Sequence, residues 1–276
     1  MLATVVAGPL LACEARSLVP DAGAGSGGGG AGPYPDPAFR LLSDFEDLAG
    51  ATVVRAGTPP RNGHWYTYND DNPKGTDATC IQVPPPGPQV APNPPATYVG
   101  EAPPTALLIT VGQAGPSVLA LHAKWSGCSV WGAGIGADIN TPVMPDGEVY
   151  LGPKVPYDVS GYSGITFFAM SAPGSAAYLR VKLPMRATTR IQDGGTCDES
   201  VVGAGKCDDD WGEQYNLSTN GSWRQFWLTF SGPMFKQEGW GVVVPWNPRD
   251  VTGIQIQSVD KGEAYDFWID DVYLLP

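Results

Sequence analysis

Leu42-Ser-Asp-Phe-Glu-Asp47 and Tyr265-Asp-Phe-Trp-Ile-Asp-Asp-Val-Tyr-Leu274 are the stretches whose reading decides the fold. Each reads as a strand in which carboxylates stand among aromatic and aliphatic residues. A strand tolerates several Asp and Glu poorly unless something neutralises them. If the two strands are neighbours, Asp44, Glu46, Asp270 and Asp271 converge on one hard cation. Clusters of carboxylate oxygens suit calcium.

The chain between these ends reads as all-β. Charged residues make up only 16% of its 276 residues, whereas Gly (36) and Pro (28) are abundant, a balance that favours short strands and many turns over helices. Strands are expected at Leu41–Glu46, Trp65–Asn69, Ala106–Val111, Ser117–Trp125, Gly132–Asp138, Ile165–Ser171, Ala177–Leu183, Gln225–Phe230, Gly253–Ser258 and Asp266–Leu274. Ala177-Tyr-Leu-Arg-Val-Lys-Leu183 alternates apolar and polar residues, as half-buried antiparallel strands do. Such strands without helical crossovers predict a two-sheet antiparallel β-sandwich. The Pro-rich residues 84–104 cannot form a central strand and read as a surface loop. A net charge of −12 argues against a nucleic-acid groove and against polyanionic glycans.

The opening Asp-Phe-Glu-Asp and the closing Trp-Ile-Asp-Asp-Val strands resemble those of jelly-roll carbohydrate-binding modules of the galactose-binding-like class, family 11 modules above all. Arg61-Asn-Gly-His-Trp-Tyr-Thr-Tyr-Asn-Asp70, Trp131-Gly-Ala-Gly-Ile-Gly136 and Gly161-Tyr-Ser-Gly-Ile-Thr-Phe-Phe168 carry the same resemblance. It covers roughly residues 40–276 and implies a glycan-binding jelly roll. It also implies a structural calcium tying the first strand to the last, with Glu46 and Asp270 as principal ligands and Asp44, Asp271 and Asp70 as secondary ones.

Of the five cysteines, Cys13 follows an apolar run ending Leu10-Leu11-Ala12, which is similar to a bacterial lipobox. The run is too short to span a bilayer. Residues 1–13 are thus expected to be a signal and lipobox remnant, with lipidation at Cys13 as the only membrane attachment. Residues 14–38 read as a Gly-rich flexible tether, and residues 39–276 as the binding domain of an exported or cell-surface protein. The four remaining cysteines allow three pairings. Cys197 and Cys207 enclose a short loop and are the expected pair, which leaves Cys80 with Cys128. Zinc would need ligands that this chain arranges poorly, with no Cys-x-x-Cys and only His64 and His122.

Nine Trp and eleven Tyr supply ring faces that stack on the C–H faces of sugars. The candidate binding residues are Trp65, Tyr66 and Tyr68 beside Asn69 and Asp70, then Trp211 and Tyr215, then Trp240 and Trp246. Arg180 joins them because it shares a strand face with Lys182. Trp223, Trp227 and Trp268 read as core. Asp208 to Asp210 form an acidic loop that is either solvated or a second cation site.

No Gly-x-Ser-x-Gly, His-Glu-x-x-His or phosphate loop is present. A glycoside hydrolase or polysaccharide lyase on the same fold is the first alternative, and a hydrolase would draw an opposed pair from Glu148, Glu213, Glu238 and Glu263. An envelope or matrix protein that binds another protein is the second.

Overall fold

The computed structural model describes residues 41–45, 61, 63–70, 80–83, 119–140, 152–201 and 205–276. Eleven strands occur among them: β1 (Leu41–Ser43), β2 (Trp65–Asn69), β3 (Ile81–Val83), β4 (Leu121–Ser126), β5 (Ala133–Asp138), β6 (Gly164–Ser171), β7 (Tyr178–Leu183), β8 (Trp211–Asn216), β9 (Arg224–Thr229), β10 (Gly253–Ser258) and β11 (Tyr265–Leu275). They build two antiparallel sheets. The first runs β3-β4-β11-β6-β9 with β1 also on β11, and the second runs β2-β5-β10-β7-β8. Among the described residues the single helical element is a 3-10 turn at Ile191–Asp193. This is the expected all-β sandwich.

Strand alternation sets the core. In β7, Leu179, Val181 and Leu183 point inward, as do Ile165, Phe167 and Ala169 in β6 and Ala133, Ile135 and Ala137 in β5. Trp125 meets Phe267 edge-on at 5.1 Å between centroids. Each fully buried large apolar side chain contributes about 1.5–3 kcal/mol.

The first and last strands are neighbours, as their sequences suggest: Leu41 lies opposite Tyr273 and Ser43 opposite Val272. β11 pairs with β4 through Tyr265–Ile269 and only then with β1. Its register against β6 slips between Asp270 and Tyr273. Asp271 there takes a left-handed backbone (φ 48°), a conformation in which Asp and Asn are enriched. A bulge of this kind bends a strand and re-aims its side chains.

Both expected disulfides are formed. Cys80–Cys128 joins the residue before β3 to the chain just after β4, and Cys197–Cys207 closes the acidic loop. Two strands differ from the sequence reading. β3 is only three residues long, and β8 (Trp-Gly-Glu-Gln-Tyr-Asn) is a polar edge strand whose outward Gln214 and Asn216 are exposed. β3 is too short for a periodic signal and exposes its apolar Ile81 and Val83 while burying Gln82, and β8 is too polar to mark a central strand. Cys13, the tether, Glu46, Glu148, residues 84–104 and the strand expected at Ala106–Val111 lie outside the described residues.

Candidate functional site

The outward face of the second sheet gathers its chemistry in two transverse rows. Register places Tyr68, Gly134, Gln257, Arg180 and Gln214 side by side across β2, β5, β10, β7 and β8. The next row is Tyr66, Gly136, Gln255, Lys182 and Gly212. Aromatic rings stand at one end, amides in the middle and cations towards the other.

The glycines of β5 are what let the rings lie down. A Cβ on Gly134 would sit 2.5 Å from the Tyr68 ring, and one on Gly136 would sit 2.7 Å from the Tyr66 ring. Both rings therefore fold across β5. Tyr68 continues into Trp131, with centroids 5.9 Å apart and planes 22° apart, and Trp131 is 41% exposed. Gln255 donates from Nε2 to the Tyr66 hydroxyl at 2.9 Å, and its Oε1 accepts from the Tyr68 hydroxyl at 3.4 Å. Gln257 donates to the Trp131 carbonyl at 3.1 Å. Burial pushes both phenols well above their ordinary range, helped by Asp138 at Tyr66 and by Asp210 at Tyr68. They remain protonated, and so able to donate, at any working pH.

Carboxylates balance the cations. Lys154 Nζ lies 2.6 Å from both Asp138 oxygens and 5.9 Å from the centre of the Tyr66 ring, closing that side of the face. Lys182 Nζ is 3.3 Å from Asp210, which also accepts from Thr188 Oγ1 at 2.5 Å. Arg180 donates to the carbonyls of Asp210 and Lys236, and its Nε is 3.9 Å from Glu238. Trp240 donates to the same Glu238 at 3.0 Å and is 52% exposed.

Of the aromatic candidates, Tyr66, Tyr68 and Trp240 border this face, as does Arg180. The other four are corrected. Trp65 points inward, is 1% exposed and donates to Ser43 Oγ across the sandwich at 2.7 Å. Trp211 and Trp246 pack with Phe230 and Phe235 in an aromatic cluster against the core. Tyr215 sits edge-on to Phe167 and Phe226, inside β8. Each shares its strand's inward parity or fills the space beneath a loop. The core reading of Trp227 is corrected in turn: Phe226 and Leu228 take the inward positions of β9, leaving Trp227 52% exposed. Trp268 is buried outside the sandwich core, stacked on His122 with centroids 4.1 Å apart. Sequence reasoning missed Trp131, Gln255 and Gln257 as site residues. One signal was present, because every outward position of Gly132-Ala-Gly-Ile-Gly136 is glycine.

Asp70 is not part of an acidic cluster. Its Oδ2 accepts the backbone N–H groups of Val130, Trp131 and Gly132 at 2.7, 2.9 and 2.9 Å. It also comes within 4.8 Å of the Cys80 and Cys128 sulfurs, but the disulfide removes those sulfurs from metal ligation. No three carboxylates among the described residues approach one another that closely. Asp44, Asp270 and Asp271 nevertheless all bear on the Tyr273 phenol, whose proton they and burial hold in place. Asp270 and Asp271 are buried at the β11 bulge, where Asp270 Oδ1 accepts the Asp271 N–H at 2.7 Å.

In the acidic loop, Asp208 pairs with Arg190 at 2.9 Å and Asp209 and Asp210 serve as hydrogen-bond hubs. Burial pushes the Asp208 carboxyl up to about 6, with Arg190 opposing. The folded state therefore binds this proton more tightly than the unfolded chain. Ionised Asp208 costs stability above pH 6, and the cost fades as pH falls towards 4. Its side chain is 37% exposed, so solvent screening holds the cost to about 1 kcal/mol or less. Asp208→Asn, which also suits the left-handed backbone at this position (φ 68°), should raise the melting temperature at pH 8 and leave it unchanged near pH 4. Equal shifts at both pH values would contradict this.

Of the candidate glutamates that are described, Glu213 shares the inward side of β8 with Trp211 and Tyr215, and Glu263 is exposed in the connection between β10 and β11. Among the described candidates, Glu238 alone borders the face. His64 precedes β2 and its carbonyl accepts from Asp138 of the second sheet, whereas His122 lies in β4 of the first.

No family model and no curated protein matches this chain. Among solved structures, it is similar to the family 11 carbohydrate-binding module from Clostridium thermocellum in complex with a β-1,3-1,4-mixed-linked tetrasaccharide, at 13% identity and TM-score 0.41, over 86% of this chain and 94% of that one. A family 11 module of a cellulosomal cellulase of the same organism gives 11% identity and TM-score 0.38, over 85% and 92%. A protein from a complex xyloglucan utilization locus in Bacteroides uniformis gives 9% identity and TM-score 0.31, over 86% and 50%. Likeness at this level does not say what this chain binds.

Proposed function

We propose that this protein binds an uncharged glycan, without cleaving it, on the outward face of its second sheet. The observation that carries the reading is the near-parallel pair Tyr68–Trp131 laid beside a row of amides. Ring faces attract sugar C–H groups. Gln214 offers both donor and acceptor to hydroxyls, and Gln255 and Gln257 offer the amide hydrogens and lone pairs that their contacts with Tyr66, Tyr68 and Trp131 leave over. The three cations of the face already stand beside carboxylates, which favours a neutral polymer over an anionic one. Retention on immobilised mixed-linkage β-glucan, xyloglucan and galactomannan, with alginate as the anionic control, tests this. Retention is expected on at least one neutral polymer and not on alginate. Tyr68→Ala and Trp131→Ala should each weaken it about tenfold or more, because buried or stacked aromatics dominate such contacts. Wild type passing through all three neutral columns sinks the reading, as do alanine variants that bind like wild type.

The acidic bulge adds a calcium clasp to this reading. Asp270 and Glu46 would be its principal ligands and Asp44 and Asp271 secondary ones. Asp44, Asp270 and Asp271 stand near the meeting of the first and last strands, and their oxygens, which do not all lie within 4.8 Å of one another, would have to close in to share the ion. The clasp acts on stability. An ion bound only by the folded state adds about 2.7 kcal/mol at a hundredfold excess over its dissociation constant. Chelation of a calcium-loaded sample should lower the melting temperature by roughly 5–10 °C for a domain of this size, and Asp270→Ala should abolish that sensitivity. Unchanged melting on chelation excludes the clasp.

A further inference from the structure

Two buried carboxylates do the same thing at opposite borders of the glycan face. Asp70, 2% exposed, gathers three successive N–H groups, those of Val130, Trp131 and Gly132, on one oxygen. Asp209, also 2% exposed, takes the N–H of Glu238 on Oδ1 at 2.9 Å and those of Gly239 and Gly241 on Oδ2 at 2.8 and 3.1 Å. Each loop displays one exposed tryptophan, Trp131 in the first and Trp240 in the second.

The two loops lie at the two ends of the strand order. Trp131 stacks on Tyr68 of β2. The loop of Trp240 follows the free edge of β8, where Lys236 and Gly212 exchange backbone hydrogen bonds at 3.0 and 3.2 Å. Four strand spacings separate these borders, about 19 Å at the usual interstrand distance. From Trp240 a polar chain leads back through Glu238 to Arg180, which stands in the same row as Tyr68.

We propose that Asp70 and Asp209 are positioning residues that hold Trp131 and Trp240 as two end clamps, so that the face selects glycan chains long enough to reach both. This rests on the glycan reading above and goes beyond it in naming what sets the chain length. An exposed loop tryptophan loses rotational and backbone freedom when it grips a ligand. A loop already fixed by a buried carboxylate has lost much of that freedom before the ligand arrives, and affinity rises accordingly. Charge-assisted bonds to ionised oxygens suit this task because they are stronger than neutral ones.

The chemistry separates the two aspartates. All three bonds at Asp70 fall on one oxygen, so Asp70→Asn can keep them by presenting its amide oxygen, whereas Asp70→Ala cannot. Asp209 uses both oxygens, so Asp209→Asn must point an NH₂ at an N–H it formerly accepted. Calorimetric titration with tri- to hexasaccharides, cut from whichever of the three neutral polysaccharides the wild type retains, reads the effect. Wild-type affinity should climb about tenfold or more over that ladder, and Trp131→Ala and Trp240→Ala should flatten the climb. Asp70→Ala and Asp209→Asn should flatten it likewise, with the largest loss on the longest chains, and Asp70→Asn should behave as wild type. Amide hydrogen exchange supplies an arm that needs no glycan. Exchange at residues 130–132 should quicken in Asp70→Ala, and at 238–241 in Asp209→Asn, with the rest of both sheets unchanged. A full climb in Asp70→Ala and Asp209→Asn overturns the proposal, as does an equal loss for every chain length. Unchanged exchange overturns the positioning role by itself. If the wild type retains no polysaccharide, the glycan reading and the length selection fall together, while the exchange arm still decides whether the carboxylates fix the loops.

Discussion

Lys154→Met is expected to cost about 3–5 kcal/mol of folding stability, because it strands the charge of Asp138 inside the protein. The two side chains are 4% and 2% exposed, and Lys154 Nζ is 2.6 Å from each Asp138 oxygen. Removing the ammonium leaves the carboxylate with the desolvation cost and without the attraction that offset it. For a domain of this size the melting temperature should fall by roughly 6–20 °C. Lys154→Met combined with Asp138→Asn should recover most of the loss, since no buried charge is then left uncompensated. Calorimetric melting of the single and double variants decides it. A single variant that melts with wild type, or a double variant no better than the single, would show that the pair does not hold this corner of the face.

The second large effect separates two tryptophans that look alike in sequence. Trp65→Ala should destabilise by about 3–5 kcal/mol, the usual cost of emptying a large aromatic site in a packed core. It also removes the bond from Trp65 Nε1 to Ser43 Oγ that ties β2 of the second sheet to β1 of the first. Trp131→Ala should stay within about 0.5 kcal/mol of wild type, as surface substitutions do. Its ring is half open to solvent, and the hydrogen bonds that fix its loop are made by backbone. Denaturant unfolding of both variants, with the glycan columns run in parallel, should show stability lost in one and retention lost in the other. Equal destabilisation of both would contradict this division.

Those two residues show where reading along the chain stops. By itself the sequence determined the all-β class, the antiparallel alternation of β7, the meeting of the opening and closing strands, and both disulfide pairs. These are local or one-dimensional properties: a period of two, a short loop between cysteines, carboxylates in strands that need relief. It also held, in Gly132-Ala-Gly-Ile-Gly136, the cue that something flat lies against one side of β5. Only the tertiary structure decided which aromatics face inward. A strand's parity becomes inside or outside when its register with neighbours far away in sequence is set, and a slip of one residue reverses every side chain. Trp65 therefore went to the core, while Tyr66 came to rest over Gly136, its register partner on β5. Trp211 and Tyr215 turned inward on an edge strand too polar to be read as a strand. Asp70 became the holder of the Trp131 loop because a carboxylate takes its role from the donors that reach it, and these come from residues about sixty positions along the chain.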